Sequence, residues 1–338
     1  MPIRIAVDAM GGDYAPLEIV KGAVQAAKEY NVAIQLVGDE VQIKNELAKY
    51  DISGLDIGIT HTDEVIEMGE SPAKALRAKK KASIVLTVDS VAKGESDGLV
   101  AAGSTGAAMA ASLFGLGRLP GIKRPVICCT MPTVKQPIAL LDGGANSDCD
   151  PEMLLEFAIM GRIFAQLILG YENPRVGLMN IGEEEGKGNE LAKATFNVLN
   201  TKKEMLNFIG NVEGRDTFTG DVQVIVCDGF VGNVVLKTAE GALKMVSKLI
   251  KQEFKSSLLN MIIGLLSKPV FGGIKKRLDY EKIGGALLLG IKGVSVISHG
   301  SSNAYAIKNA IRVAKEAVEK NVNEKIVEMY NESIKEVN

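Results

Sequence analysis

Several short apolar runs in this chain end in glycine and pass straight into helix-forming sequence. That pattern constrains the fold more than any other feature. Its clearest instance lies at 97–112. Leu99, Val100, Ala101 and Ala102 form the apolar run, and the chain breaks at Gly103. Ser104 and Thr105 offer hydroxyls, Gly106 turns, and Ala107, Ala108, Met109, Ala110, Ala111 and Ser112 follow as strong helix formers. The stretch reads as strand, glycine turn, helix N-terminus. Such a turn aims free backbone N–H groups at one spot, and the helix dipole favours an anion there. An ordinary βα turn has the same residues, and the stretch is neither a full Walker A nor a full G-x-G-x-x-G motif.

The pattern recurs along the chain. A strand over 3–7 ends at Asp8 and runs into Gly11 and Gly12, where a carboxylate and glycines suit the ligand crevice of an open sheet. Apolar residues at helical spacing predict a helix over 17–29, then a strand over 33–38, with Asp39 capping the next helix and a short strand over 56–60. This β-α-β-α-β order implies a parallel sheet with helices on both faces. Pro72 opens a helix, another spans 83–93, and strands follow at 126–131 and 138–141. Asp150 caps a long helix over 152–169. Strands at 175–179 and 222–226, a helix from 234, a strand at 294–297 and a terminal helix from 304 to about 330 complete the reading. The fold class expected is α/β: a three-layer α/β/α sandwich, Rossmann-like, with a mostly parallel sheet. All 338 residues are expected to form one catalytic domain carrying a projecting amphipathic element at about 252–280.

Composition removes several function classes. Net charge is −2, so nothing drives the chain toward nucleic acid, and 5% aromatic content with no Trp gives no platform for stacking bases. Cys128, Cys129, Cys149 and Cys227 lack C-x-x-C spacing and only His61 and His299 accompany them, which argues against zinc and against a disulfide scaffold. No cofactor is expected. The opening Met-Pro-Ile-Arg-Ile-Ala-Val-Asp carries no apolar signal segment, which predicts a cytoplasmic protein.

The chemistry-bearing residues sit at strand ends. His61 reads as a polar loop residue and Cys149 as a bystander thiol, because nothing beside either would activate it. Asp142 and Asn146 follow the strand at 138–141. The loop from Asn180 to Asn189 holds Glu183, Glu184, Glu185 and Lys187 among glycines. It departs from the EF-hand pattern and suits a mobile ligand loop in which Lys187 meets an anion. Arg215, Asp228 and Asn233 belong to further glycine-rich turns. His299 enters a Gly300-Ser301-Ser302 turn, where it could protonate a leaving group, bind an anion or be a satisfied structural residue. The number of such strand ends argues for one shared crevice. Arg77, Lys79, Lys80 and Lys81 are either a solvated helix end or a patch for an acidic partner, for which Lys275, Lys276 and Arg277 are the other candidate.

The segment from Leu258 to Leu266 is too short to cross a bilayer, which takes about 20 residues. Its apolar residues Leu258, Leu259, Ile262, Ile263, Leu265 and Leu266, with Phe271 beyond, are flanked by Lys255, Lys268, Lys275, Lys276 and Arg277. The segment suits an interfacial element on anionic lipid, and equally a buried core or dimer helix.

Taken together, Asp8-Ala-Met-Gly-Gly-Asp13, Gly94-Glu-Ser-Asp-Gly98, Ala102-Gly-Ser-Thr-Gly-Ala107, Asp142-Gly-Gly-Ala-Asn146, Asn180-Ile-Gly-Glu-Glu-Glu-Gly-Lys-Gly-Asn189, Gly210-Asn-Val-Glu-Gly-Arg-Asp216, Cys227-Asp-Gly-Phe-Val-Gly-Asn233 and His299-Gly-Ser-Ser302 resemble the bacterial phosphate acyltransferase family over nearly the whole chain. Two positions depart from the family pattern: Ser104, where Asn is usual, and Leu287, where Pro is common. The resemblance implies transfer of a fatty acyl group from the thioester of acyl carrier protein to inorganic phosphate, yielding acyl phosphate for phospholipid synthesis. It implies a fold like that of phosphotransacetylases and isocitrate-dehydrogenase-like enzymes. It also implies a homodimer, peripheral attachment to the inner face of the cell membrane, and hand-over of product to a membrane glycerol 3-phosphate acyltransferase. Residue type and position make His299, Lys187, Asn180 and Asp228 the catalytic candidates. Asp8, Gly103, Ser104, Thr105, Gly106, Asn146, Asn189, Arg215, Asn233, Gly300, Ser301 and Ser302 are the candidates for binding phosphate and thioester. Phosphate is itself an anionic nucleophile, so neither a metal nor a triad is needed. Two readings from other classes stand beside this one. One is a non-catalytic regulatory protein that binds acyl carrier protein at the membrane. The other is a nicotinamide-dependent dehydrogenase, for which a full G-x-G-x-x-G followed by an acid is missing.

Overall fold

A computed structural model describes residues 2–277 and 284–335; the side chains of Lys275, Lys276, Ile334 and Lys335, and residues 278–280 of the expected projecting element, lie outside the described residues. In chain order the elements are β1 Arg4–Asp8, α1 Leu17–Tyr30, β2 Ala33–Gly38, α2 Glu40–Leu47, β3 Ile57–His61, α3 Pro72–Ala78, α4 Ser83–Ala92, β4 Gly98–Ala101, α5 Thr105–Leu116, β5 Val126–Met131, β6 Ile138–Leu141, α6 Pro151–Leu167, β7 Val176–Asn180, α7 Glu190–Thr201, α8 Lys203–Leu206, β8 Phe208–Glu213, β9 Val224–Val226, α9 Gly229–Phe254, α10 Leu258–Leu266, α11 Lys268–Arg277, β10 Ala286–Leu289, β11 Val294–Ile297, α12 Ala304–Glu319 and α13 Val322–Lys335.

The strands form one sheet in the order β3-β2-β1-β4-β11-β10-β5-β6-β9-β7-β8. Strands buried on both faces are apolar at every position, and successive side chains go to opposite faces. Thus Ile5 and Val7 of β1, Ala139 and Leu141 of β6, and Val224 and Val226 of β9 face one side, under α1, α2, α6, α7, α12 and α13. The intervening residues face the other side, where the core is split. Ala6, Leu99 and Ile127 pack under α3, α4 and α5. Ile138, Leu140 and Ile225 pack under the first turns of α9. The result is the expected three-layer α/β/α arrangement.

Strand direction divides the sheet. β3, β2, β1, β4 and β11 are mutually parallel, and so are β6, β9, β7 and β8. Between the blocks, β10 is antiparallel to β11 and β5, and β5 is antiparallel to β6. The two blocks therefore run in opposite directions, and their C-terminal strand ends emerge at opposite margins of the sheet.

Several local expectations are corrected. β8 and β10 are strands that the sequence reading passed over, and Leu287 is a buried residue of β10, paired with both Cys128 and Val296. α5 begins at Thr105, so Thr105 and Gly106 belong to its first turn. α9 begins at Gly229, five residues before the expected 234, which places Asn233 inside the helix. The terminal helix is two helices, broken where Asn321 takes a left-handed φ of 50°. His61 is the last residue of β3, and its Nδ1 accepts a hydrogen bond from the Glu40 amide at 3.2 Å.

α9 leaves the sheet after its first turns, and α10 and α11 fold back along its distal end. Phe254 and Phe271 meet edge to face at 5.3 Å there. Among the described residues no helix is long and apolar enough to cross a membrane.

Candidate functional site

At the first margin, three strand ends interlock. The turn after β1 lies against the turn after β4 so closely that a Cβ on Gly11 would stand 2.9 Å from both the Gly103 amide nitrogen and the Asp8 carboxylate. Glycine is required for that backbone-to-backbone approach. The turn after β11 joins them, with the Asp13 amide donating to the Gly300 carbonyl at 2.8 Å. Asp8 is buried at the floor of the cluster, and its Oδ1 accepts from the Met10 amide at 3.2 Å. Burial pushes its carboxyl above the usual range, against the opposing pull of the Ser83 hydroxyl and the Met10 and Gly11 amides.

α5 starts at this junction. Ser104 is its N-cap, with Oγ accepting from the Ala107 amide at 3.4 Å. Ser and Asn cap helices equally well, so the departure from the family's Asn preserves the local architecture. The first amides of a helix have no intrahelical partner, and those of α5 face the cluster of glycine turns. The neighbouring α12 differs. There the Ala304 amide already donates to the Glu18 carboxylate at 2.6 Å, so a side chain of α1 fills the anion position at its N-terminus. Glu18 was not among the candidates, and its position in α1 carries no local signal of this contact.

His299 and Ser301 form a closed turn. The Ser301 amide donates to His299 Nδ1 at 3.2 Å, and the Ser301 hydroxyl lies 2.9 Å from the same nitrogen. A ring nitrogen that accepts carries no proton, so the neutral imidazole bears its hydrogen on Nε2. The Ser302 amide donates to the His299 carbonyl at 2.9 Å. Over this cluster runs the loop between β3 and α3. A Cβ on Gly300 would stand 2.9 Å from the end of the Met68 side chain, and one on Gly106 the same distance from the Pro72 ring. Met68 and Pro72 therefore wall the cluster. Sequence reasoning missed both, because nothing at 62–72 hints that the loop folds over distant turns.

The second margin holds two further groups. In one, the Asp142 carboxylate is fully buried and accepts from the amides of Ile127, Gly144, Ala145 and Asn146. The Asn146 side-chain amide donates to Asp142 Oδ2 and to the Pro125 carbonyl, both at 2.8 Å, so its two hydrogens are consumed in folding the loop. Asp228 caps α9 by accepting from the Val231 amide, and Asn233 lies beside Gly144. Cys149 is close by, its thiol pushed up to about 12 by burial and by the Asp142 and Asp228 carboxylates, which removes it as a nucleophile at neutral pH.

In the other group, Asn180 donates to the Lys187 carbonyl at 3.2 Å and accepts from the Ile181 amide at 2.8 Å. Asn189 caps α7. Arg215 pairs with Glu213 at 2.7 Å and Glu183 at 3.6 Å, and Lys187 approaches Glu184 at 4.0 Å. Among the described residues no hydrogen bond or ion pair links either group to the first margin, and no cluster of His, Cys, Asp and Glu could hold a metal ion. The structure thus gathers Asp8, Gly103, Ser104, Thr105, Gly106, His299, Gly300, Ser301 and Ser302 at one margin. It gathers Asn146, Asn180, Lys187, Asn189, Arg215, Asp228 and Asn233 at the other.

Known proteins resemble this chain along its length. A family model described as fatty acid synthesis protein matches residues 3–325. The phosphate acyltransferase of Pelotomaculum thermopropionicum is 54% identical over 324 residues, covering 96% of this chain and 94% of that protein. That of Dictyoglomus turgidum is 51% identical over 330 residues, covering 97% and 98%. Among solved structures, a phosphotransacetylase from Streptococcus pyogenes aligns with a TM-score of 0.62 at 17% identity, covering 94% of each chain, a likeness of fold alone.

Proposed function

The chain belongs to the phosphate acyltransferase family, and from that premise we propose that it transfers a fatty acyl group from the thioester of acyl carrier protein to inorganic phosphate, for phospholipid synthesis. One observation carries the assignment of the site. Where the turns after β1, β4 and β11 interlock, with Asp8 and Asp13 at the junction, no carboxylate among the described residues hydrogen-bonds the first amides of α5, whereas those of α12 are met by Glu18. Phosphate binds at the first amides of α5, with the Ser104 and Thr105 hydroxyls beside them. A phosphate oxygen attacks the thioester carbonyl, a C–O bond forms, the C–S bond breaks with its electron pair going to sulfur, and acyl phosphate leaves with the carrier thiolate, which takes its proton from water.

The hydrogen bond from the Ser301 amide supports a specific role for His299. Its Nε2–H donates to the carbonyl oxygen as negative charge develops there, and the thiolate leaves without a protein acid. Lys187, Asn180, Asp228, Asn146, Asn189, Arg215 and Asn233 would act only on a substrate that reaches the second margin.

In the same reading all 338 residues form one catalytic domain, and α10 rests on the inner face of the cell membrane. Leu258, Leu259, Ile262, Ile263, Leu265 and Leu266 are exposed, Leu258 at 81%. The exposed Leu243, Met245, Val246 and Leu249 of α9 support a homodimer. Acyl phosphate then passes to a membrane glycerol 3-phosphate acyltransferase.

The test is a timed assay with acylated carrier protein, with acyl phosphate trapped by hydroxylamine. Free carrier thiol appears only when phosphate is present; release at the same rate without phosphate overturns the reading. His299→Ala lowers kcat by about 10²-fold, and His299→Gln, which keeps an N–H donor, recovers part of it. Lys187→Ala turning over at the wild-type rate would remove the second margin from the chemistry.

A further inference from the structure

We propose that the exposed cations Lys74, Arg77, Lys80 and Lys81 form the docking surface for an acidic carrier protein, which presents its thioester to the N-terminus of α5. The inference rests on the acyl-transfer reading and adds where the partner sits. Position is the first support. α3 stands at the edge of the interlocked turns, with the Pro72 ring against Gly106, and Ala75 and Leu76 pack into the core beneath α5. Lys74 and Arg77, three residues apart, consequently share the outer face of α3, and Lys80 and Lys81 continue the exposed surface just beyond it.

Charge is the second support. None of these four side chains makes an ion pair within the described residues. The carboxylates nearest in sequence are engaged elsewhere. Glu70 accepts from Lys79 Nζ at 2.5 Å and from the Glu67 amide at 2.9 Å, and Glu64 accepts from the Lys81 amide at 3.2 Å. Lys79 is spent on that contact and on the Val65 carbonyl, so it ties the loop down and does not face a partner. Asp63 and Glu67 remain exposed to temper the field, as does Asp13, which lies with Met68 at the Gly300 turn. A rival basic edge lies at the other margin and is half neutralised: Lys123 pairs with Asp150 and Glu152, while Arg118 keeps its charge and donates to the Lys123 carbonyl. Unpaired cations beside a site steer an acidic partner and make its association salt-dependent.

The experiment varies acylated carrier protein at two ionic strengths for the wild type and for Lys74→Glu/Arg77→Glu/Lys80→Glu. At low salt the KM for carrier rises about tenfold, while kcat and the KM for phosphate stay unchanged. At about 0.5 M salt the difference shrinks, because screening shortens the reach of surface charge. The triple Gln variant gives an intermediate KM and serves if the charge reversal perturbs folding. An unchanged carrier KM overturns the proposal. So does an equal rise on reversing Arg118 and Lys123, or loss of binding to anionic vesicles with carrier kinetics intact. Carrier binding read by chemical shifts of labelled carrier separates the two levels. A wild type that binds carrier through these residues yet makes no acyl phosphate sinks the transfer reading and leaves the docking surface standing.

Discussion

Five hydrogen bonds converge on the buried carboxylate of Asp142, four from backbone amides and one from the Asn146 side chain. Asp142→Ala would strand those amides without partners and should cost about 3–5 kcal/mol in guanidinium unfolding. A loss below about 1 kcal/mol would mean that water replaces the carboxylate. Glu156 presents the opposite case. It is buried on α6, accepts from the Lys123 amide at 2.8 Å, and burial, against the pull of the Lys123 and Arg124 amides, raises its carboxyl from 4.5 to about 7. Between those values the folded state holds a proton that the unfolded chain has lost. Its contribution is therefore favourable below about pH 4.5 and declines as pH rises to 7. Glu156→Gln should flatten that part of the stability profile in urea melts; an unchanged slope would clear Glu156. Neither residue announces its role locally. Asn146 reads as a ligand contact by residue type, and only the contacts reveal that its amide hydrogens are used in the loop.

The arm formed by the distal part of α9 with α10 and α11 shows the same limit at the level of elements. Glycines at 229 and 232 read as a turn, yet they begin α9. A Cβ on Gly232 would stand 1.9 Å from the Asp142 carbonyl oxygen, so glycine is there for close packing of helix against loop. Gly241, farther along α9, has nothing within 4 Å of an added Cβ. Gly232→Ala should therefore destabilise by several kcal/mol, about 3 or more by analogy with overpacked cores. Gly241→Ala should stabilise by up to about 1 kcal/mol, as alanine does in a helix interior. Thermal melts that rank the two the other way would refute this account of where the arm joins the body. α9 is about 39 Å long at 1.5 Å per residue, and the apolar residues of α10 lie exposed at its distal end. Leu259→Glu with Ile263→Glu should release the protein from anionic vesicles; binding that persists while the dimer dissociates would make α10 a protein interface.

At the scale of the whole molecule, the arrangement of strand ends decides which candidates can act together. Phosphate should slow hydrogen exchange at 9–13 and 103–107 and leave 180–189 unchanged, because a ligand protects the amides it touches and stabilises the fold by mass action. Protection confined to 180–189 would move the site to the second margin. The chain's local chemistry settled much of this protein. Apolar runs set the strands, and helical spacing set α1. Asp39, Ser104, Asp150 and Asn303 accept from amides three residues on, as short polar side chains do at helix starts. Long motifs at the strand ends identified the family. Tertiary structure alone decided that β5 and β10 reverse the sheet between its two blocks, so that the expected single crevice becomes two margins. It alone decided that Glu18 of α1 meets the N-terminus of α12 while Ser104 caps that of α5. Strand pairing and long-range hydrogen bonds join residues far apart in the chain, as Glu18 and Ala304 are, and a strand buried on both faces is apolar whichever way its neighbours run.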